Sequence, residues 1–297
     1  MKNRIQKLMV LSLAVGGVAS ISKADTAITS FTAGDYVVLR GGDATNPASN
    51  SNQTGVYLDE YTTAGAYVGT INVPSTGGNA LTLPGAADNQ HEGVINISAN
   101  GQYFTFAGYQ ADAGSADAFA QGGTSQYQPV VGVIGVNGSG LTTNTPVNGY
   151  HNGSSNPYIR GAYSNDGTQF WTFGKYAASG ATSNGGLTYV SGTGPSATST
   201  TVEGFADWRD IIGINGQLYG GTGSSSVGNH APYIVANTAA NVSAGVVTEP
   251  TTNLGTSLSL NNQIGSYPGG QSASGLAAVD LSGDPYSQNS VNVLYTI

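Results

Sequence analysis

The chain has 297 residues, with 8 Lys or Arg against 16 Asp or Glu, 45 Gly, 11 Pro and no Cys. Charged residues make up 8% of it, against about 25% in an average soluble domain, while glycine stands at about twice its usual share. That composition disfavours a coiled coil, a helical bundle or a typical cytosolic enzyme, all of which use far more Glu, Lys, Arg and Leu, and points to strands and turns.

In chain order, the first element is a targeting segment. Lys2, Arg4 and Lys7 precede an apolar stretch from Leu8 to Ile21, and Ser22, Lys23 and Ala24 follow. This n-region, h-region and A-x-A-like ending reads as a secretory signal peptide over 1–24, cleaved after Ala24. The h-region carries two adjacent glycines and falls short of the ~20 apolar residues of a bilayer span, so a membrane anchor is the lesser reading. No later segment has the pattern of a transmembrane span. Residues 25–297 are read as a single β-repeat domain. Removing the leader takes four of the eight basic residues and none of the acids, leaving Arg40, Arg160, Lys175 and Arg209 in a chain of net charge −12. Such a charge repels phosphate backbones and anionic headgroups, so nucleic acid is not an expected partner. Without cysteine, stability must come from packing and sheet hydrogen bonds.

The main internal signal is a recurring turn followed by an aromatic or β-branched run: GDYVVLRGG from Gly34, NGQYFTFAG from Asn100, DGTQFWTFG from Asp166 and NGQLYGG from Asn215. Asn-Gly and Asp-Gly supply the positive φ angles of a type I′ turn, so each site reads as a β-hairpin. A second hairpin follows each: Val56 to Tyr61 with Tyr67 to Val73, Val130 to Val136 with Leu141 to Val147, Leu187 to Val190 with Ala197 to Val202, and Tyr233 to Val235 with Val246 to Thr248. A fifth pairs GLAAVDLS from Gly275 with VNVLYTI from Val291. Two consecutive hairpins make a four-stranded antiparallel unit. The predicted fold is therefore all-β, a β-propeller-like array of about four to five such units, spaced by blade-sized repeats of about 40 to 50 residues plus inserted loops. Runs such as QYFTF and QFWTF are apolar on both faces, as in sheets covered on both sides. A β-sandwich or β-solenoid is the alternative.

VYLDEYTTAG from Val56, NALTLPG from Asn79, EGVINISANGQYFTFAGY from Glu92, VVGVIGVNG from Val130, IRGAYSNDGTQFWTFG from Ile159 and NGQLYGG from Asn215 together resemble, in the same order, a group of uncharacterised secreted bacterial proteins with propeller-like repeats. Many of that group carry a C-terminal PEP-CTERM sorting signal. The resemblance implies a fold and a compartment and carries no catalytic residues. Relatives continue with further blades and often end in Pro-Glu-Pro, an apolar helix and arginines. Both features are missing here, which leaves an incomplete array or a smaller closed ring.

The chemistry-bearing residues form few patterns. His91, His151 and His230 lie in Gly/Asn-rich loops without metal-ligand spacing, so no metal site or cofactor is expected. GGTGSSS from Gly220 lacks the Lys and helix of a phosphate cradle and reads as a strand end and loop. Asp59 and Glu60, adjacent on one strand, point to opposite faces and cannot form a facing acid/base pair; charge guarding an edge strand is the expectation. Asp112 and Asp117 read as solvated loop residues. Two groupings keep a binding role open: Asp207, Trp208, Arg209 and Asp210 with Glu203 nearby, and His91 with Glu92 beside Asp88 and Gln90. An exposed Trp beside carboxylates suits sugar stacking, whereas an ion pair of Arg209 with Asp207 or Asp210 and a packed Trp208 is the plainer reading.

The function expected from these features is that of a secreted, non-enzymatic module binding an extracellular glycan or surface protein. The alternatives are a polysaccharide hydrolase or lyase with carboxylates drawn from separate units, and a structural component of the envelope or matrix.

Overall fold

A computed structural model describes residues 25–43, 52–84, 93–116, 127–148, 150, 158–175, 186–202, 208–214, 217–222, 232–236, 276–279 and 293–296. The leader expected over 1–24 with its Ala24, Asp88, Gln90, His91, Glu92, Asp117, His151, Glu203, Asp207, His230 and the strand expected at Val246 to Thr248 lie outside them. The described residues form antiparallel sheets with no α-helix, and a single 3-10 turn at Gly77–Asn79.

Strands β1 (Tyr36–Gly41), β2 (Gln53–Tyr61) and β3 (Tyr67–Asn72) begin the chain's sheets, followed by β4 (Thr82–Pro84), β5 (Asn96–Ile97), β6 (Tyr103–Tyr109), β7 (Pro129–Gly135) and β8 (Thr142–Pro146). These eight form one sheet of order β1-β2-β4-β6-β7-β8, with β3 paired to β2 and β5 to β6. Next come β9 (Tyr158–Ser164), β10 (Gln169–Lys175), β11 (Leu187–Ser191) and β12 (Thr198–Val202), a four-stranded sheet in sequence order. β13 (Trp208–Ile214), β14 (Gln217–Thr222) and β15 (Pro232–Ala236) form a third sheet, and β16 (Leu276–Val279) pairs with β17 (Val293–Thr296). None of these sheets closes into a barrel.

Two features depart from the expected pattern of separate hairpin units. The Gly34 turn does not join β1 to a preceding strand. Residues before it run along β3, where Ala27 bridges Thr70 in parallel. The three-residue β4 links the first unit to the second because Thr82, with none of its surface exposed, donates its hydroxyl proton among Gln53 Oε1 at 3.1 Å and the carbonyls of Ala111 at 3.1 Å and Tyr109 at 3.3 Å.

The turns are also built differently. Among the described residues the only non-glycine with positive φ is Tyr150, so neither Asn100 nor Asp166 makes a type I′ turn. Only the glycine is left-handed: Gly101 has φ +68° and donates to Ser98 O at 2.8 Å, and Gly138 has φ +85° and donates to Gly135 O at 2.7 Å. The residue before each glycine serves through its side chain. Asn100, Asn137 and Asp166 each accept the backbone N–H two residues on, at 3.0, 3.1 and 2.9 Å, which closes an Asx turn.

Strand alternation explains the doubly apolar runs. Phe104, Phe106, Val130 and Ile134 face one way, into a core with Phe31, Val37, Leu58 and Ile71. Ala107, Tyr109, Val131 and Val133 face the other, into a second core with Ile159, Ala162 and Phe170. β6 and β7 thus lie between two cores, whereas β1 is only partly covered. On β10, Trp171 pairs across the sheet with Tyr163 and Tyr189, with ring centroids 6.0 and 5.6 Å away. Gly213 of β13 lies on Tyr163, and any Cβ there would stand 2.2 Å from its phenol oxygen.

The two ends of the sheets differ. The tight turns at 98–102, 136–141 and 164–168 gather at one end, where Asn100 N donates to Asn165 O at 3.0 Å, Ala99 N to Ser164 O at 3.0 Å and Val136 N to Gln102 O at 2.9 Å. At the other end Gln110 N donates to Gln128 O at 2.8 Å, Ile159 N to Tyr109 Oη at 3.2 Å and Tyr150 Oη to Gly186 O at 3.2 Å. There β6, β8 and β10 give way to the connections that lead to β7, β9 and β11.

Candidate functional site

The tryptophan grouping on β13 is built into the interior. Trp208 is 1% exposed. Its indole packs over Gly220 of β14, where a Cβ would stand 2.4 Å from Cζ3. Gly220 is thus a strand residue kept bare by the ring above it. The register shifts between Trp208 and Asp210, so Arg209 occupies a β-bulge. Asp210, 6% exposed, accepts the N–H of Ile211 at 2.8 Å. The carbonyl of Trp208 accepts from Nη1 of Arg160 at 2.7 Å, and Nη2 of that side chain donates to Tyr158 Oη at 2.9 Å. A sugar ring cannot reach an indole placed this way. The grouping joins β9 to β13, and of the residues predicted there Glu203 and Asp207 lie outside the described set.

Asp59 and Glu60 do point to opposite faces, but they do not guard an edge. β2 is paired on both sides, to β1 and to β3 and β4, and the two residues are 3% and 1% exposed. Glu60 accepts the N–H of Thr32 at 2.5 Å. Asp59 takes Nε and Nη2 of Arg40 at 2.6 and 3.1 Å and the hydroxyl of Thr70 at 2.5 Å. Arg40 also pairs with Asp25 at 2.9 Å, donates to Gly42 O at 2.6 Å, and stands 4.5 Å from the centre of the Tyr57 ring. The register places Tyr57 opposite Arg40, and Tyr57 Oη donates to the Asp43 carboxylate. Sequence reasoning did not single out Arg40, Tyr57 or Asp43. Their one visible signal was the alternation that sets Tyr57 and Asp59 on one face.

The electrostatics of this cluster are those of a satisfied network. Burial first, then the hydrogen bond and charge of Asp43, push the Tyr57 phenol up to about 12. Burial alone would lower Arg40, but the hydrogen bond and charge of Asp59, then of Asp25, outweigh it and raise its pKa. Tyr57 therefore stays a neutral donor and Arg40 a fixed cation at any ordinary pH. Catalytic acids and bases instead need a pKa near the working pH.

Asp112 is exposed, as read from the sequence, and accepts the N–H of Gly77 at 2.6 Å. Among the described residues no group of three or more His, Asp or Glu side chains is placed to hold a metal ion, and no helix is long and apolar enough to cross a membrane. Comparison of the chain with known protein families, curated proteins and solved structures finds no match.

Proposed function

We propose that the chain is an exported, non-enzymatic module of propeller-like units that binds an extracellular glycan or surface protein at the end of its sheets from which the long connections leave. The observation that carries this reading is the division between the two ends. At one, tight turns are tied to one another by backbone hydrogen bonds. At the other, β6, β8 and β10 lead into connections of mostly small and polar residues, such as those at 117–126, 151–157 and 176–185. Binding residues are commonly carried on connections held by a rigid scaffold. The carboxylates of Asp59, Glu60 and Asp210 are buried and bonded to the framework, which leaves them no part in cleaving a polysaccharide. The sheet of β9 to β12 and the run β5-β6-β7-β8, each paired in sequence order, support the propeller-like arrangement. The leader over 1–24 and the resemblance to secreted repeat proteins support export.

The test is an array of polysaccharides and matrix proteins probed with the chain from Asp25 onward, with depolymerisation assayed alongside. Saturable binding without cleavage is expected. A variant with 117–126 replaced by a Gly-Ser linker of equal length separates recognition by the connections from adhesion to the framework.

A further inference from the structure

Residues 25–31 are attached to the fold as a peptide ligand is attached to its receptor. Thr26 O accepts from Thr70 N at 2.8 Å and Ile28 N donates to Thr70 O at 3.0 Å, so the segment adds in parallel to the edge of β3 that β2 leaves open. Five of the seven residues are exposed, Ile28 is half-buried, and Phe31 is 8% exposed. Phe31 sets its ring edge-on to Phe104 at 5.9 Å, and its N–H donates to Asn137 O at 3.2 Å.

The receiving surface is shaped for a backbone. At Gly69 of β3 a Cβ would stand 2.3 Å from Ile28 Cγ2 and 2.8 Å from Thr26 O, and at Gly138 one would stand 2.7 Å from Ser30 Cα. Buried Glu60 holds the far end by accepting from Thr32 N, and Arg40 holds the near end through Asp25. A short turn then leads into β1, with Asp35 N donating to Thr32 O at 3.2 Å and Gly34 at φ +98° with nothing within 4 Å of its would-be Cβ.

We propose that the β3 edge is a strand-acceptor site, that residues 25–31 are its ligand, and that the segment exchanges between chains, making a second copy of this chain the partner. Recognition of this kind draws affinity from main-chain bonds and specificity from side-chain anchors, here Ile28 and Phe31, which pack on the same core. Every contact that residues 25–32 make with the rest of the fold is available between two chains, because only the open turn after Thr32, closed by Asp35 N on Thr32 O, need rearrange. Within one chain the short turn supplies a high effective concentration, so exchange is expected when chains are crowded or transiently loosened. The inference goes beyond the binding reading above and does not depend on it.

The test uses the full chain with a protease recognition sequence inserted between Ala33 and Gly34. After cutting, near-ultraviolet circular dichroism is expected to persist and a fluorescent peptide of residues 25–32 to bind saturably. The same peptide with Ile28→Asp and Phe31→Asp is expected to bind at least about tenfold more weakly, since both apolar anchors are lost. In parallel, donor- and acceptor-labelled full chains mixed at high concentration under mild denaturant are expected to show energy transfer that Gly69→Val in both chains removes. Collapse of the fold on cutting would make the segment an integral strand and overturn the proposal. Peptide binding indifferent to Ile28 and Phe31, or no energy transfer between labelled chains, would overturn it equally.

Discussion

Arg160, with none of its surface exposed, donates from Nη1 to the backbone carbonyl of Trp208 at 2.7 Å, and so one buried cation ties β9 to β13 of the neighbouring sheet. Its second nitrogen meets Tyr158 Oη at 2.9 Å. Arg160→Ala is expected to cost about 3 kcal/mol, because a charge-assisted bond to a buried carbonyl is lost and a side-chain volume is emptied. Arg160→Lys should recover little, since a single ammonium cannot span the two acceptors as the planar fork does. Urea denaturation of both variants checks this.

The Arg40 network separates a buried pairing from an exposed one. Asp59 is 4% exposed in its side chain and Asp25 36%, yet both meet the same guanidinium. Asp59→Ala is expected to cost about 2–3 kcal/mol, the cost of stripping hydrogen bonds from buried and half-buried donors. Asp25→Ala should cost under about 1 kcal/mol, as exposed pairs do. Equal costs for the two variants, measured by thermal unfolding, would show that burial does not set the difference.

At Tyr57 the raised pKa predicts the direction of alkaline instability. The folded phenol titrates at about 12, whereas a tyrosine in an unfolded chain titrates near about 10. Between those values the folded state holds a proton that the unfolded state has released, so the stabilisation present below pH about 10 is lost as pH rises through about 12. Burial also raises Tyr150 and Tyr163, adding in the same direction. Absorbance titration should show tyrosine ionisation lagging behind that of free tyrosine and then coinciding with unfolding. Asp43→Ala should bring Tyr57 down only part of the way, because burial is the larger cause.

Gly220→Ala places a methyl group against the Trp208 indole, where the nearest ring atom would be 2.4 Å away. Neither a buried ring nor a paired strand can yield easily, so a loss of about 1–3 kcal/mol is expected from overpacking. Trp208 should report the strain through a shift in tryptophan emission, read best with Trp171 replaced by Phe.

What was legible in the sequence was the local part of the fold. Gly101, Gly138 and Gly167 mark turns because a left-handed backbone favours glycine wherever it occurs. The hairpins β2/β3, β7/β8, β9/β10 and β11/β12 follow from the apolar runs that flank such turns. The partners of Asp59 and Glu60 could not be read in the same way. Arg40 is 19 residues from Asp59 and Thr32 is 28 from Glu60, and no spacing rule covers a contact set by strand order. The short β4 was missed because three residues carry no periodicity, and its place depends on Thr82 meeting Gln53 and Tyr109. Trp208 reads from the sequence more plainly as packed than as exposed, and it is packed, but its neighbours could not be read, because Gly220 beneath the ring comes from β14 and Arg160, bonded to its carbonyl, from β9.

The most direct measurement of the proposed function is binding of the chain from Asp25 onward to an array of polysaccharides and extracellular matrix proteins, repeated with the 117–126 replacement. Saturable binding to one ligand class, lost in the replacement while Trp208 emission and circular dichroism stay unchanged, is the predicted result. Absence of binding across the array, or binding that the replacement leaves intact, would contradict recognition at the end of the sheets where the long connections leave.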